Sequence, residues 1–454
     1  MKNRLLVGIA AAAVTGCITI LVCWLLGDSP PKPPNLIVIT VDTLRQDHLG
    51  CYGSDTKTPA LDKLAAEGFR FRDSVTVAPT TLPSHTSLFT GLYPARHGVR
   101  LNGRFKVPDE TLTLAEVLYA NGYLTAAFVG STVLNKHYAL DQGFQVYNDD
   151  VGSDVNSAQA QRRAAEVSHA AIDWLEDVKA PFFLWVHYFD PHGPYEPPPP
   201  YGSDYYKGDP RNPKHTSMEG VSVVYYQNLD GITDIRYPMA QYKGEITYTD
   251  KAIGQLLEAA DRSGFRDNTL VLMTAYHGEN LGKNKYYFDH GETLHDTSMR
   301  VPLIIRAPWL EGTRVVVGGP MSLVDVYPTV LNLLDIEMPE EVQGQSVADY
   351  LVEGSVPDRE LFMETMLPMT SKRSAIFGIQ TEHWKMTLRQ NRVKLFHRIS
   401  DPEEQKNVAK QHAVVRDWLA YLIKGYFQTQ PLKAERFKPS PEHIEQLRAL
   451  GYVQ

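Results

Sequence analysis

From Asn35 onward, two hydrophobic rhythms alternate along the chain. Short runs are apolar at nearly every position, as in Asn35–Thr40 (NLIVIT), and longer stretches place apolar residues three or four apart. The first rhythm belongs to a strand covered on both faces and the second to an amphipathic helix, so their alternation predicts an α/β domain built on a mostly buried sheet. Further strands are predicted at 125–129, 182–186, 269–274 and 301–305, and helices at 61–67, 157–178, 242–262 and 323–334. Segment 197–213, rich in Pro, Gly, Tyr and Asp, reads as a surface excursion. From Leu361 the texture shifts to four short strand-like runs, 361–366, 375–380, 384–388 and 394–396, and then a helix near 412–427. The pattern divides this part of the chain into a main domain over 35–360 and a small α+β C-terminal subdomain over 361–454. No fixed period recurs, which disfavours a solenoid or propeller.

Ahead of the main domain, Lys2 and Arg4 precede an apolar run from Leu5 to Leu26. About 20 helical residues at ~1.5 Å rise cover the ~30 Å hydrocarbon core of a bilayer, and positive residues on the short leading side favour a cytoplasmic N-terminus. Residues 1–27 are therefore predicted to form a single transmembrane anchor and residues 28–34 (DSPPKPP) a short, stiff linker, with everything beyond them periplasmic or extracellular. A cleaved signal peptide and a lipidated Cys17 are competing readings. The apolar run continues past both processing points, which favours the anchor.

At 454 residues, 43% hydrophobic and 22% charged, the composition is that of a globular protein long enough for a large core. A net charge of -8 and the lack of any long Lys/Arg run exclude a nucleic-acid partner as the leading reading. An acidic balance does not exclude an anionic substrate, because local donors set the field inside a site. Of the 3 cysteines, Cys17 and Cys23 lie in the apolar run and Cys51 is alone beyond it. No disulfide can form within the domain, so its stability must come from the core.

In α/β sheets ligands gather at the carboxyl ends of strands. Asp42 follows the first predicted strand, and Tyr276-His277-Gly278-Glu279 follows the late strand at 269–274. A third place is Thr81-Leu82-Pro83-Ser84-His85, which opens a helical stretch ending in Leu88-Phe89-Thr90-Gly91; proline suits the first turn of such a helix, whose positive end would welcome an oxyanion at Thr81. This stretch resembles the sulfatase signature. The likeness continues through VDTLRQDHLGCYG, TPALDKLAAEG, GLYPARHGVRLNG, LDQGF, HYFDPHGPY, YYFDHGETLHDTSMRVPLIIRAP, DVYPTVLNLL, GQSVADYL and a final LRALGYV. The chain is thus identified as resembling the sulfatase family of the alkaline phosphatase superfamily along nearly all of its length beyond the linker. The resemblance implies a large mixed, mostly parallel sheet flanked by helices, with a small α+β C-terminal subdomain.

It also implies a metal-dependent hydrolase of anionic esters, with Thr81 as nucleophile. In a sulfatase proper that position carries Cys or Ser, which is oxidised to formylglycine. Threonine cannot become that aldehyde, so no formylglycine is expected, and phosphate or phosphonate ester hydrolysis or transfer fits the chemistry better than sulfate. His85 stands where the signature arginine steadies the nucleophile. His192 and His290 match positions that contact the anionic group or protonate the leaving oxygen, and Asn102 matches one that holds a non-bridging oxygen. His187, His137 and Tyr195 rank lower, as core or rim residues.

The family's metal, Ca²⁺ or Mg²⁺, is held by paired Asp residues after the first strand and an Asp-Asn or Asp-His pair after the late one. This chain has Asp42-Thr43 and Tyr276-His277 there. A neutral phenol is a poor ligand for a hard cation, so Asp42 and His277, with Thr81, point toward Zn²⁺ or Mn²⁺, with Glu279 or Asp289 as recruits. Two functions follow as expectations. One is an enzyme acting on an anionic ester, carried by a glycan or a lipid head group. The other is a catalytically degraded relative that keeps the pocket to bind anionic glycan or lipid, and Tyr276 is the residue that separates them.

Overall fold

The computed structural model describes residues 32–151, 161–310, 315–426, 428, 431–437 and 439–449. The predicted anchor at 1–27 lies outside the described residues; among those described, no helix is long and apolar enough to cross a membrane.

Ten strands make up the main domain: β1 (Asn35–Val41), β2 (Phe69–Val75), β3 (Leu124–Val129), β4 (Val146–Asn148), β5 (Phe182–Tyr188), β6 (Thr269–Ala275), β7 (Asn280–Leu281), β8 (Tyr287–Asp289), β9 (Leu303–Arg306) and β10 (Val315–Ser322). Eight of them form one sheet in the order β10-β2-β9-β6-β1-β5-β3-β4. Strands β6, β1, β5, β3 and β4 run parallel, and β9 lies antiparallel to both of its neighbours. Every residue of β1, β5 and β6 is buried, as the unbroken apolar runs require for strands covered by helices on both faces.

Register then decides where chemistry can happen. Val41 pairs with Tyr188 on one side and Ala275 on the other, so β1, β5 and β6 end at the same edge. The segments that follow, beginning at Asp42, Phe189 and Tyr276, emerge side by side, and the Asp42 N–H is held by the Tyr188 carbonyl at 2.9 Å.

The helix Thr81–Thr90 is wholly buried against this edge. It stops at Gly91, whose left-handed backbone (φ 66) lets its N–H close onto the Ser87 carbonyl at 2.9 Å. A side chain there would also crowd Val342, 2.8 Å from the Cβ position. Of the ten strands, β2, β4, β7, β8 and β10 escaped the hydrophobic pattern. β2 (FRFRDSV) carries Arg70, Arg72 and Asp73, and β10 contains Gly318-Gly319-Pro320, which the sheet tolerates through a register shift between Val317 and Pro320.

Beyond the main sheet, β11 (Leu361–Thr365), β12 (Ile376–Gln380), β13 (Trp384–Arg389) and β14 (Arg392–His397) form an antiparallel meander. One face packs Ile379, Met386 and Leu395 against Leu419 and Ile423 of the helix Ala413–Tyr426. The buried ammonium of Lys385 reaches out to Asp296 (2.5 Å) and Glu404 (2.7 Å), and so ties the meander to the main domain.

Burial alone would raise the Asp296 carboxyl; the charges of Lys385, Arg398 and Arg300 overcome that and hold it below the usual range. A depressed folded pKa contributes stability that is complete above the ordinary value of 3.8 and is lost as pH falls below it toward the folded value. Lys385→Met leaves two carboxylates without their buried cation and is expected to cost on the order of 3–5 kcal/mol at pH 7. In urea unfolding followed by fluorescence, the gap between wild type and variant should narrow as pH is taken below about 4; a gap that stays constant with pH would remove the charge pair as its cause.

Candidate active site

Three strand ends and one helix start supply the site, and the structure brings all eight predicted residues into one continuous set of contacts. Asp42, from the end of β1, has its Oδ1 3.6 Å from His277 Nε2, from the end of β6. The His277 ring stacks on His290 (centroids 4.5 Å), and His290 meets His192 edge to face at 5.0 Å. On the other side Tyr276 packs against His277 (4.8 Å) and His85 (4.1 Å). His85 in turn lies under the backbone of Thr81, and Asn102 accepts the N–H of Leu82 at 2.8 Å.

Thr81 is the first residue of its helix and is fully buried, and its Oγ1 has no hydrogen-bond partner. Leu82 donates to Asn102, and Pro83 has no N–H to give. The helix therefore offers little to water at this end. The side-chain oxygen of Asn102 is engaged by that cap, so its NH₂ is the donor that remains for a substrate oxygen.

His85 carries both of its nitrogens into the scaffold. Nδ1 lies 2.9 Å from the Thr81 carbonyl, which can only accept, so Nδ1 holds the proton. Nε2 then accepts from the Thr40 hydroxyl at 3.1 Å, and that hydroxyl accepts from Trp185 Nε1 at 2.9 Å. His85 is fully buried. The geometry makes it a positioning residue. It fastens the Thr81 turn to β1, and both of its nitrogens are engaged.

The same logic fixes other tautomers. His277 Nδ1 faces the Gly278 carbonyl at 3.2 Å and His192 Nδ1 the Gly193 carbonyl at 2.8 Å, so both carry their proton on Nδ1 and have Nε2 as an acceptor. The Gly130 N–H donates to His187 Nδ1 at 3.3 Å, which leaves His187 Nε2 to donate to the Tyr276 hydroxyl at 2.9 Å.

Burial dominates the electrostatics. It pushes His85 down to about 3 and His290 down to about 4, and holds His187, His192 and His277 well below the ordinary histidine value. It holds the Asp42 carboxyl well above the carboxylate range, opposed by the Tyr276 phenol and reinforced by Glu279. Glu279, pushed up to about 8 by burial, accepts from Tyr195 at 3.1 Å, and its Oε2 lies 3.6 Å from His290 Nδ1. Glu279, named from the sequence as a metal recruit, is completely buried. His187 and Tyr195 are buried as anticipated, His187 as the partner of Tyr276, whereas His137 is exposed.

The donor set answers the metal question in part. Both Asp42 oxygens and His277 Nε2 are buried without hydrogen-bond partners. Two acceptors facing each other at 3.6 Å make an arrangement that a cation or a proton satisfies. Hard cations take six or more oxygen ligands, and here there is one carboxylate beside the neutral phenol of Tyr276, whose oxygen accepts from His187 and whose proton side acts on Asp42. Among the described residues no group of three or more His, Cys, Asp or Glu side chains could hold a metal ion. Ca²⁺ and Mg²⁺ therefore do not fit, and Asp42 with His277 fits only as two ligands of an ion that accepts nitrogen. Asp289, the other suggested recruit, is half-buried with a raised carboxyl pKa and forms no part of this pair.

Comparison with known proteins follows this geometry. The sulfatase family model matches residues 34–336, and a model of the C-terminal region of N-sulphoglucosamine sulphohydrolase matches residues 283–423. An ulvan-active sulfatase of Formosa agariphila is 28% identical over 413 residues, covering 84% of this chain and 78% of that protein. A multifunctional alkaline phosphatase superfamily protein of Trinickia caryophylli is 25% identical over 510 residues, covering 90% and 98%. The crystal structure of a phosphonate monoester hydrolase of Agrobacterium radiobacter superposes with a TM-score of 0.69 at 22% identity, over 86% of this chain and 95% of that one. With fold, strand-end chemistry and most of its length accounted for, the chain belongs to the sulfatase family of ester hydrolases, within the alkaline phosphatase superfamily.

Proposed function

We propose that this protein hydrolyses a phosphate or phosphonate ester, with Thr81 as the nucleophile. The observation that carries the reading is the buried, unpartnered Thr81 hydroxyl at the start of a ten-residue helix, fastened through His85 to the strand that ends in Asp42. A β-branched threonine cannot follow the formylglycine route, so its ester must be opened by attack at the central atom, which phosphorus chemistry permits.

Members of the family typically bind a divalent metal. In this chain Asp42 and His277 are the residues that would hold one, and its Lewis acidity would favour the alkoxide of Thr81 and draw charge from the ester oxygens. The protein's own groups supply the rest. The Thr81 oxygen, its proton given up to water, forms a bond to phosphorus as the bond to the ester oxygen breaks; Nε2 of His277, the nitrogen that would hold the ion, takes no part in that proton transfer. The departing alcohol takes a proton from His290, which Glu279 is placed to replenish. Water then attacks phosphorus, returning a proton through His290 to Glu279, as the bond from phosphorus to the Thr81 oxygen breaks. The Asn102 NH₂ is the donor offered to the anionic oxygens.

A second reading, a protein that only binds an anionic glycan or lipid, draws on the commitment of Tyr276 to His187. The two readings part on activity. Thr81→Ala is expected to fold as wild type by circular dichroism and to lose at least about 10³-fold in turnover of a phosphonate or phosphodiester substrate. Residual turnover equal to wild type would sink the nucleophile assignment.

Restoring the family carboxylate gives an independent check. Tyr276→Asp is expected to raise the affinity of the full chain for Zn²⁺ or Mn²⁺ by about tenfold or more in calorimetric titration, because it adds an anionic oxygen beside Asp42. An unchanged isotherm would show that position 276 does not face the ion.

A further inference from the structure

Beyond the helix Ala413–Tyr426 the chain returns to the Thr81 end of the main domain. Segment 432–437 runs beside the loop that carries Asn102 and touches it on both flanks. Ahead of Asn102, the Leu432 N–H donates to the Arg96 carbonyl at 2.7 Å. Gly98 lies so close that a Cβ there would sit 2.8 Å from the Leu432 carbonyl oxygen and 2.9 Å from Ala434 Cβ. After Asn102, Phe105 and Arg436 form an antiparallel bridge. The Lys106 N–H donates to the Glu435 carbonyl and the Phe437 N–H to the Arg104 carbonyl, each at 3.0 Å.

Phe437 fixes this strap. Its ring meets Tyr138 edge to face, with centroids 5.1 Å apart and planes at 72°, and the Lys106 ammonium lies 5.6 Å from its centroid. Tyr138 is itself fully buried, and its carbonyl takes the Val107 N–H at 2.9 Å. Its hydroxyl meets Nε2 of His443, on the helix Pro441–Ala449, at 2.6 Å. Leu447 of that helix, the one fully buried side chain described in the final LRALGYV region, joins the main core. The strap is therefore tied to the core on the same side as the loop it holds.

The loop has little stiffness of its own, because Asn102 is followed by Gly103 in a left-handed backbone (φ 67). Its side-chain oxygen nonetheless sits 2.8 Å from the Leu82 N–H, capping the turn that presents Thr81. We infer that segment 432–437, locked by Phe437, is a positioning element that holds Asn102 against Leu82, and so sets both the Thr81 turn and the amide offered to substrate. The inference rests on the hydrolase reading above only for the role of Asn102 toward substrate.

The test reads the cap directly, by hydrogen exchange at the Leu82 amide of the full chain, and then turnover of a phosphonate monoester. Phe437→Ala is expected to speed exchange at Leu82 about fivefold or more while leaving the helix Arg236–Arg262 unchanged. Phe437→Tyr, which keeps the ring, should exchange as wild type, and Phe437→Leu takes the place of the alanine variant if that one does not fold. In an Asn102→Ala background the Phe437 substitution should add nothing, because its effect runs through Asn102. An unchanged Leu82 amide, equal acceleration in the helix Arg236–Arg262, or a Phe437 effect that persists without Asn102 overturns the inference. Where wild type turns over the ester, Phe437→Ala should lower kcat about tenfold, with Phe437→Tyr like wild type, and an unchanged kcat overturns the inference as well. Absence of turnover in wild type sinks the hydrolase reading instead, and the exchange rates then decide the inference by themselves.

Discussion

The chemistry of this protein hangs on the parallel hydrogen-bonding of β1 between β5 and β6. Because Val41 is in register with Tyr188 and Ala275 together, three separate segments leave the sheet at one height. A shift of one residue on either side would turn Asp42 or Tyr276 to the opposite face of the sheet and dissolve the site. The interaction that positions the candidate site residues is therefore made of backbone, and the buried, mostly apolar strands around it hold that register dry.

Much of this architecture is legible in the sequence, for a physical reason. Doubly covered strands such as NLIVITV and TLVLMTA must be apolar throughout, so β1 and β6 announce themselves, and the polar residues just beyond them mark the edge where ligands bind. The four short strands of the C-terminal meander read out equally well. β2 and β10 do not, because an alternating charged strand and one interrupted by Gly-Gly-Pro are stabilised by their partners and not by their own pattern. The long helix begins at Arg236, ahead of the predicted 242, since its first turn carries no apolar repeat.

The site was legible in its members and opaque in its wiring. Thr81, His192, His290, Asn102, Asp42, His277 and Tyr276 could all be named from motif positions. No sequence pattern tells that His187 would hold the Tyr276 hydroxyl, that Tyr195 would hold Glu279, or that the excursion would fold back to lay Tyr226 on His192. Those contacts join residues far apart in the chain. Their consequence is an interior populated by uncharged imidazoles.

The three-way junction of His85, Thr40 and Trp185 has a bearing on how such a chain can change. The family signature places an arginine where His85 stands, yet here that position is enclosed by Phe89, Trp185, His187 and Tyr276, with one hydroxyl from β1 as its outward partner. A guanidinium would bring five donors and a fixed charge into a space whose oxygen partners for His85 are the Thr81 carbonyl and the Thr40 hydroxyl. Tyr276, its ring 4.1 Å from that of His85, offers no compensating charge there, so residues 85 and 276 constrain one another: a carboxylate at 276 is the change that would supply an arginine at 85 with a counter-ion.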